Sequence, residues 1–254
     1  MLKNYQYLIS FFIFIILSPV LHSNEFSVLI EKDTEKTELN RLIKKYILEN
    51  PEIIIKAIEI YQKKQNLNAL ENEKKLIKSF SSEIFNDKNS YFFGDKNSKI
   101  TIVEFIDYNC GYCKKNHKII MKLLNNENKI RYIIKELPIL GESSLLASKI
   151  AILIYLTDGA ETYKKFFNFL MNHNSQLNFE ILKSFARKAG SSIKNFDTQI
   201  NIEKVNSVIL KNLSLAEKLS INGTPSFIIE NSIIRGFISF DQLQEIIDNV
   251  RKNQ

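Results

Sequence analysis

A short segment that holds both cysteines of the chain places the tightest constraint on its fold. Residues 100–106, Ile-Thr-Ile-Val-Glu-Phe-Ile, are mostly β-branched or apolar, which is typical of a strand covered on both faces. Cys110 and Cys113 follow, and the residues after them form a helix pattern with a polar start and an apolar stripe. A cysteine at a helix N-terminus is favoured as a thiolate by unpaired N–H groups and the helix dipole. The spacing therefore indicates a thiol–disulfide site, in which Cys110 attacks and Cys113, one turn later, resolves.

Other uses of two such cysteines give weaker explanations of the pattern. A structural zinc site needs four ligands, and beyond the thiols the sequence offers only His22, His117 and His173, which nothing places near them. A purely structural disulfide would close too small a loop to constrain the unfolded chain. Copper(I) accepts two soft thiolates and stays open as an alternative. Redox chemistry is favoured, with no bound metal and no cofactor other than a redox-active Cys110–Cys113 disulfide.

The net charge does not indicate a nucleic-acid partner. The chain carries a formal charge of +7 and has a pI near 9.1. Its lysines are scattered among acidic residues, with no Arg-rich run, so a mixed, solvated surface explains the charge. We therefore predict no nucleic-acid binding.

The N-terminus has the pattern of a secretory signal over residues 1–23. Lys3 precedes an apolar run at residues 7–17 that is short for a membrane span, and Ser23 supplies a small residue at the end. Leu21 is larger than the residue preferred at that point of a cleavage site, so an uncleaved membrane anchor remains an alternative. Either form predicts an exported domain, where disulfides form and persist.

Residues 24–85 are predicted to form a helical arm. Leu39, Leu42, Ile43 and Tyr46 fall on one helical face, and Asn50-Pro51-Glu52 has the residues that restart a helix, with Asn as the N-cap. Such an arm has too little core to be stable alone. Its apolar stripe must pack on another copy of the chain or on its own domain, and we favour self-association.

Residues 86–254 have the pattern of one α/β domain. Residues 130–136 read as a second strand, which should pair in parallel with residues 100–106 because a helix connects them. From about residue 143 to residue 219 the pattern is helical, which predicts a helical insertion. Residues 221–237 then read as an antiparallel hairpin, and Ser239 begins a closing amphipathic helix.

These features together resemble a known family. The order Glu-Phe-x-Asp-Tyr-x-Cys-Gly-Tyr-Cys at 104–113, a helical insertion, Gly-Thr-Pro at 223–225 and a closing helix resembles the DsbA-like periplasmic thiol–disulfide oxidoreductases. The leader, with Leu-Glu-Asn-Pro-Glu at 48–52, is similar to that of the ScsC-like subgroup, in which the leader mediates oligomerisation. The resemblance implies an α/β thioredoxin fold with an inserted helical domain and an N-terminal helical arm. It also implies a periplasmic location, cysteine-containing exported proteins as substrates and a membrane redox partner that resets the site.

The resemblance assigns roles to the site residues. Cys110 would be the nucleophile and Cys113 the buried resolving thiol. Pro225 would be the family's cis-proline beside the disulfide, where it presents the Thr224 backbone to an extended substrate.

One carboxylate is implied to be catalytic and two charged neighbours are not. Glu104 matches the family's buried carboxylate, which moves the proton of the second thiol, and burial should raise its pKa. The alternative places Glu104 at an exposed strand end. Asp107 and Lys114 are predicted to be solvated flanks of the motif.

The residues between the cysteines bear on the direction of the reaction. Gly111-Tyr112 replaces the Pro-His of the DsbA oxidases, and a threonine precedes the presumed cis-proline; both features resemble the disulfide isomerase DsbC. We therefore favour an isomerase or reductase, with Tyr112 beside Thr224 and Pro225 at the substrate-binding surface. A dithiol oxidase is the alternative within this class. A chaperone or copper(I)-binding module without turnover is the alternative from another class.

Overall fold

The structure is a computed structural model that describes residues 23–127, 129–200 and 202–252, with side chains from Lys36 onward except that of Asp197. The predicted signal at residues 1–23 lies outside the described residues but for its last residue. Over the part of the chain that is described, no helix combines the length and apolar character that crossing a membrane requires.

The chain divides into two compact units between Asn66 and Leu67. The smaller unit contains helix α1 (Ser23–Glu49) and the first part of helix α2 (Glu52–Ser79). The predicted break between them is present, and Pro51, which has no N–H to donate, lies in it. The Asn50 side chain donates to the Tyr46 carbonyl oxygen at 2.9 Å, so it caps the end of α1. The prediction assigned it instead to the start of the second helix.

The second part of α2 and the short helix α3 (Ser81–Phe85) belong to the larger unit. Ile77 and Ile84 are fully buried there, in a cluster that includes Phe105 and Leu215. The predicted arm ended at residue 85, whereas the structural division falls at residue 66 because these two isoleucines are part of the domain core.

A five-stranded sheet forms the centre of the larger unit, in the order β1-β3-β2-β4-β5. Its strands are β1 (Phe92–Gly94), β2 (Ile100–Ile106), β3 (Ile130–Glu136), β4 (Ser226–Ile229) and β5 (Ser232–Arg235). The pairing of β2 with β3 is parallel and that of β4 with β5 is antiparallel, as predicted. The edge strand β1 pairs antiparallel to β3 and was not predicted, since three residues are too few to show a period. Gly94 ends β1 with φ +81°, and a Cβ atom there would lie 2.1 Å from the Ile130 carbonyl oxygen.

Over its described residues, this unit contains seven further helices: α4 (Gly111–Asn126), α5 (Glu142–Asp158), α6 (Ala160–Asn172), α7 (Phe179–Ala189), α8 (Phe196–Gln199), α9 (Glu203–Lys218) and α10 (Phe240–Lys252). Helices α5 to α9 form the predicted insertion; the one-turn α8 was not foreseen. Ser239 begins α10 as predicted, because its hydroxyl accepts the Gln242 N–H at 3.3 Å.

The sheet is buried on both faces, which explains the apolar character of β2. Ile102 and Ile106 lie in the larger core cluster, together with residues of α4, α5 and α6. Val103 and Phe105, which alternate with them, lie in the second cluster with Ile77. The site at the end of β2 is thus held by a strand that is packed on both sides.

Candidate active site

Cys110 is the N-cap residue of α4. Its backbone is extended, with φ −77° and ψ 114°, and its sulfur accepts the Cys113 N–H at 3.4 Å. Its carbonyl oxygen accepts the Lys114 N–H at 3.1 Å, which begins the helical hydrogen bonds. The sulfur therefore lies at the positive end of the helix dipole, where a thiolate is stabilised.

The surroundings of Cys110 favour its ionised form. A hydrogen bond from the Cys113 side chain lowers the pKa of Cys110 to about 5, opposed by burial and reinforced by backbone N–H groups and the Thr224 side chain. As a thiol, Cys110 donates to the Thr224 carbonyl oxygen at 3.2 Å. This sulfur has the electrostatics of an attacking nucleophile.

Cys113 has the opposite character. Its side chain is 0% exposed, and burial raises its pKa well above the usual range, with contributions from Cys110 and from the charge of Glu104. Both cysteines are free thiols in the structure. One helix turn thus holds an acidic thiol followed by a buried thiol that keeps its proton.

The Thr224–Pro225 peptide bond is cis, in agreement with the resemblance. The two residues lead directly into β4, and the Pro225 carbonyl oxygen accepts the Gly236 N–H at 2.9 Å. The bond from Cys110 to Thr224 joins this hairpin to the start of α4. Cys110 is thereby brought next to the Thr224–Pro225 pair, which lies 114 residues further along the chain.

An exposed aromatic pair lies beside the cysteines. The Tyr112 side chain is 58% exposed, and its ring centroid lies 6.2 Å from that of Phe237, which is 44% exposed. The Lys115 ammonium lies 5.1 Å from the Tyr112 ring centroid. Sequence reasoning did not find Phe237. The feature that could have identified Phe237 is its position one residue after Gly236, whose N–H donates to the Pro225 carbonyl oxygen.

Glu104 is fully buried, so the alternative of an exposed strand end is wrong. Burial raises the pKa of Glu104 to about 8, a hydrogen bond from Tyr132 opposes this shift, and the charge of Cys110 adds to it. The Tyr132 hydroxyl donates to Oε2, whereas Oε1 has no hydrogen-bond partner among the described residues. Sequence reasoning missed Tyr132, which lies on β3, 28 residues away along the chain.

The comparisons with known proteins agree with this geometry. The family model described as "Thioredoxin" matches residues 86–249. This chain belongs to the thioredoxin family. A second family model, the N-terminal domain of the copper resistance protein ScsC, matches residues 35–66. That segment of this chain contains none of Cys, His and Met, the residue types that usually bind copper. The thioredoxin fold with a helical insertion and an N-terminal helical region is therefore confirmed.

Individual relatives support the same family. A putative protein-disulfide oxidoreductase of Rickettsia typhi is 24% identical over 66% of this chain and 64% of that protein, so the match spans less than two thirds of the relative. A linker-deletion mutant of ScsC from Proteus mirabilis is 27% identical, with a TM-score of 0.67 over 87% of this chain and 97% of that one. The thiol–disulfide exchange protein alpha-DsbA2 of Wolbachia pipientis is 30% identical, with a TM-score of 0.66 over 72% of this chain and 98% of that one.

The thioredoxin-family site contains a buried aspartate that was predicted to be solvated. Asp107 is 0% exposed and accepts hydrogen bonds at 2.7–2.9 Å from the Asn109, Ile139 and Leu140 N–H groups and from the Ser144 hydroxyl. The prediction was wrong because three of these four donors come from the loop before α5 and from α5 itself, which no local pattern connects to Asp107. The carboxylate ties the cysteine loop to that segment.

Two basic side chains of α4 complete the site. Lys114 is only partly exposed, and burial lowers its pKa, so it is not a fully solvated flank. His117 is buried one turn after Cys113, its ring centroid lies 5.2 Å from that of Phe167, and burial lowers its pKa to about 4. Across the described residues, no group of three or more His, Cys, Asp or Glu side chains is arranged to hold a metal ion.

Proposed function

We propose that this protein is a thiol–disulfide oxidoreductase that exchanges disulfides in exported proteins through Cys110 and Cys113. The opposite character of the two thiols carries the proposal: Cys110 has a pKa of about 5, and Cys113 is buried with a raised pKa. The names of the relatives from Rickettsia and Wolbachia support the same activity.

The chemistry takes place in two exchanges. The Cys110 thiolate attacks one sulfur of a substrate disulfide, a bond forms between these two sulfurs, and the other substrate sulfur leaves as a thiolate. Cys113 then loses its proton and attacks the Cys110 sulfur, which breaks the mixed disulfide and releases the second substrate sulfur. Two electrons pass to the substrate and a Cys110–Cys113 disulfide remains. The same steps in reverse oxidise a substrate dithiol.

Glu104 is proposed as the group that accepts the proton of Cys113. A pKa of about 8 is close to neutral pH, so this carboxyl can take up and release a proton during turnover. Tyr112, Thr224 and Pro225 are proposed to contact the substrate, because Thr224 contacts the Cys110 sulfur, Pro225 follows it through a cis bond, and Tyr112 is exposed between the two cysteines.

Trapping of the intermediate tests this mechanism. Cys113→Ser should accumulate mixed disulfides with exported proteins, since Cys110 can still attack but nothing resolves the bond. Cys110→Ser should form none and should lose exchange activity. Non-reducing gel electrophoresis after acid quenching measures the adducts. A Cys113→Ser protein that never forms an adduct, although its Cys110 thiol reacts with a small disulfide, would refute protein substrates.

We propose isomerase or reductase activity as the favoured direction, on the basis of the Gly111-Tyr112 pair and the threonine before Pro225. The test is reactivation of a scrambled-disulfide substrate beside oxidation of a reduced one, each with the Cys110→Ser protein as control. Reactivation above the control supports the isomerase. Oxidation alone would overturn it in favour of the dithiol oxidase. Inactivity in both assays would indicate a chaperone or a copper(I)-binding module, which metal analysis of the purified protein would separate.

The arm is proposed to mediate self-association. The match of residues 35–66 to the ScsC N-terminal domain supports this proposal. Large apolar side chains along the arm are between 44% and 70% exposed within the single chain: Leu39, Leu42, Ile43, Tyr46, Leu48, Ile54, Ile55, Ile58, Ile60 and Tyr61. A surface of this kind is usually covered by a partner.

We further propose a periplasmic location and a membrane redox partner that resets the site. The signal pattern at residues 1–23 supports export, and a relative from Salmonella enterica is described as a periplasmic thioredoxin-like protein. Fractionation of cells, with N-terminal sequencing of the protein recovered, tests both the location and the cleavage after Ser23. Recovery of the full-length chain in the membrane fraction would instead identify an uncleaved anchor.

A further inference from the structure

The hydrogen bond between the buried side chains of Tyr132 and Glu104 has no assigned role. In the parallel pairing of β2 with β3, Tyr132 lies opposite Ile102 and Glu104 lies opposite Ile134. Alternate residues of a strand project from the same face, so the Tyr132 hydroxyl reaches the carboxyl group diagonally across the two strands. The register of the sheet therefore sets this contact.

The contact makes the two oxygens of Glu104 different. Tyr132 donates to Oε2, and Oε1 has no partner among the described residues. A neutral carboxyl group carries its proton on one oxygen, and the oxygen that accepts the phenol hydrogen bond is the poorer site for it. Oε1 is then the atom that takes up and releases the proton.

We infer that Tyr132 is a positioning residue, which holds Oε2 of Glu104 so that Oε1 exchanges the proton of Cys113. This inference rests on the proposed function. It assigns to Tyr132 a part in the second exchange only, in which Cys113 attacks.

The second exchange moves one proton and replaces one sulfur–sulfur bond by another. The S–H proton of Cys113 passes to Oε1 of an ionised Glu104, and the Cys113 sulfur forms a bond to the Cys110 sulfur. The bond from Cys110 to the substrate sulfur breaks, and that sulfur leaves with the electron pair. Glu104 then returns the proton to solvent, so the carboxyl group is ready for the next turnover.

Charge couples the three side chains. Besides burial, the charge of Glu104 raises the pKa of Cys113 and of Tyr132, and the charge of Cys113 also raises that of Tyr132. Phe227 of β4, opposite Glu104, is not ionisable. Among the described residues, the other ionisable groups buried in this region are Asp107, Cys110 and His117 around the start of α4, Glu136 of β3, and Tyr108 and Tyr163, which both donate to Glu136.

The test is the reaction of the reduced protein with the aromatic disulfide dithiobis(nitrobenzoate), followed across a range of pH. Attack by Cys110 releases one coloured thiolate, and attack by Cys113 on the resulting mixed disulfide releases a second. In Tyr132→Phe the first phase should keep its rate. The midpoint of the second phase, which is the pH at which its rate reaches half of the maximum, should move upward by about one pH unit. The reason is that the hydrogen bond that lowers the pKa of Glu104 is lost. Below the midpoint this is roughly a tenfold loss of rate.

Two comparisons make the result specific. Tyr108→Phe removes the hydroxyl of an equally buried tyrosine that donates to Glu136, and it should leave the midpoint unchanged. In Glu104→Gln the carboxyl titration should disappear, and adding Tyr132→Phe to it should cause no further shift. An unchanged second phase in Tyr132→Phe would overturn the inference. Absence of either phase in the unmodified protein would instead overturn the proposed function.

If Tyr132→Phe does not fold, which thermal unfolding would reveal, a second variant tests the same hydrogen bond. Fluorotyrosine in place of Tyr132 keeps the volume and strengthens the hydrogen bond. It should move the midpoint of the second phase downward. A midpoint at the unmodified value, or one displaced upward, would overturn the inference.

Discussion

Single residues of the site show which roles are local and which depend on distant partners. Cys110 receives much of its character from the first turn of α4, which is a local feature, whereas the raised pKa of Cys113 comes first from its burial in the folded domain. Glu104 depends on Tyr132, which lies on another strand, and Asp107 depends on donors more than thirty residues further along the chain. Whether a carboxylate within a sequence motif is functional or solvated can therefore be decided only when its hydrogen-bond partners are known.

The pKa of Glu104 predicts how stability changes with pH. It is about 8 in the folded protein, whereas the ordinary pKa of a glutamate is 4.5, so the unfolded chain loses this proton first. Unfolding then releases a proton between these values, and the free energy of unfolding falls as pH rises through this window. Glu104→Gln removes this contribution. The stability of the variant relative to the reduced unmodified protein should increase by about 3 kcal/mol from about pH 5 to about pH 8.

Urea unfolding of both reduced proteins across this pH range measures the difference. Glu136, with a pKa of about 7, titrates in the same window in both proteins, so its contribution cancels. Two stability curves that stay parallel from low to high pH would contradict the pKa assigned to Glu104.

At the scale of elements, long periodic segments were predicted well and short ones were not. The strands β2 and β3 and the helices of the insertion were identified from their apolar patterns. The three-residue strand β1 and the one-turn helix α8 were missed. They form because neighbouring elements pair with them or cover them, and no pattern of that length is distinctive.

The link between β2 and α5 through Asp107 gives a prediction at this scale. Asp107→Asn replaces one acceptor oxygen by an NH₂ group that faces N–H or hydroxyl donors. The free energy of unfolding should fall by about 2–3 kcal/mol, because a buried donor loses its partner. Thermal or urea unfolding measures the loss.

Asp95→Asn is the matched control for this change. Asp95 is exposed and accepts one hydrogen bond, from the Asn97 N–H at 2.9 Å, so the same substitution there should cost less than about 0.5 kcal/mol. Equal losses at both positions would mean that the buried carboxylate does not hold the loop before α5.

At the scale of the whole molecule, the arm and the thioredoxin-family domain present different surfaces. The domain buries its apolar residues in two clusters around the sheet. The part of the arm described before residue 67 has no such cluster, and most of its isoleucines and leucines are exposed. The apolar residues of the domain are therefore covered within one chain, whereas most of those described in the arm are not.

Substitution of the arm surface should lower the mass of the particle. Ile54→Lys combined with Ile58→Lys places two charges on the exposed apolar stripe, at positions 44% and 50% exposed. Light scattering should report a smaller assembly for this variant, and reactivation of a scrambled substrate should fall with it. Gln62→Lys combined with Gln65→Lys, at exposed polar positions of the same helix, should preserve the mass. A monomeric unmodified protein would contradict the proposed self-association.

The sequence by itself determined the features that depend on neighbouring residues. These are the strand that leads into Cys110, the helix that begins there, the limits of the helical insertion and the break at Pro51. Only the tertiary structure decided the partner of Glu104, the burial of Asp107 and the division of the chain inside α2. Hydrogen bonds and packing between distant segments depend on the register of strands and on how helices pack, and local periodicity carries no information about either.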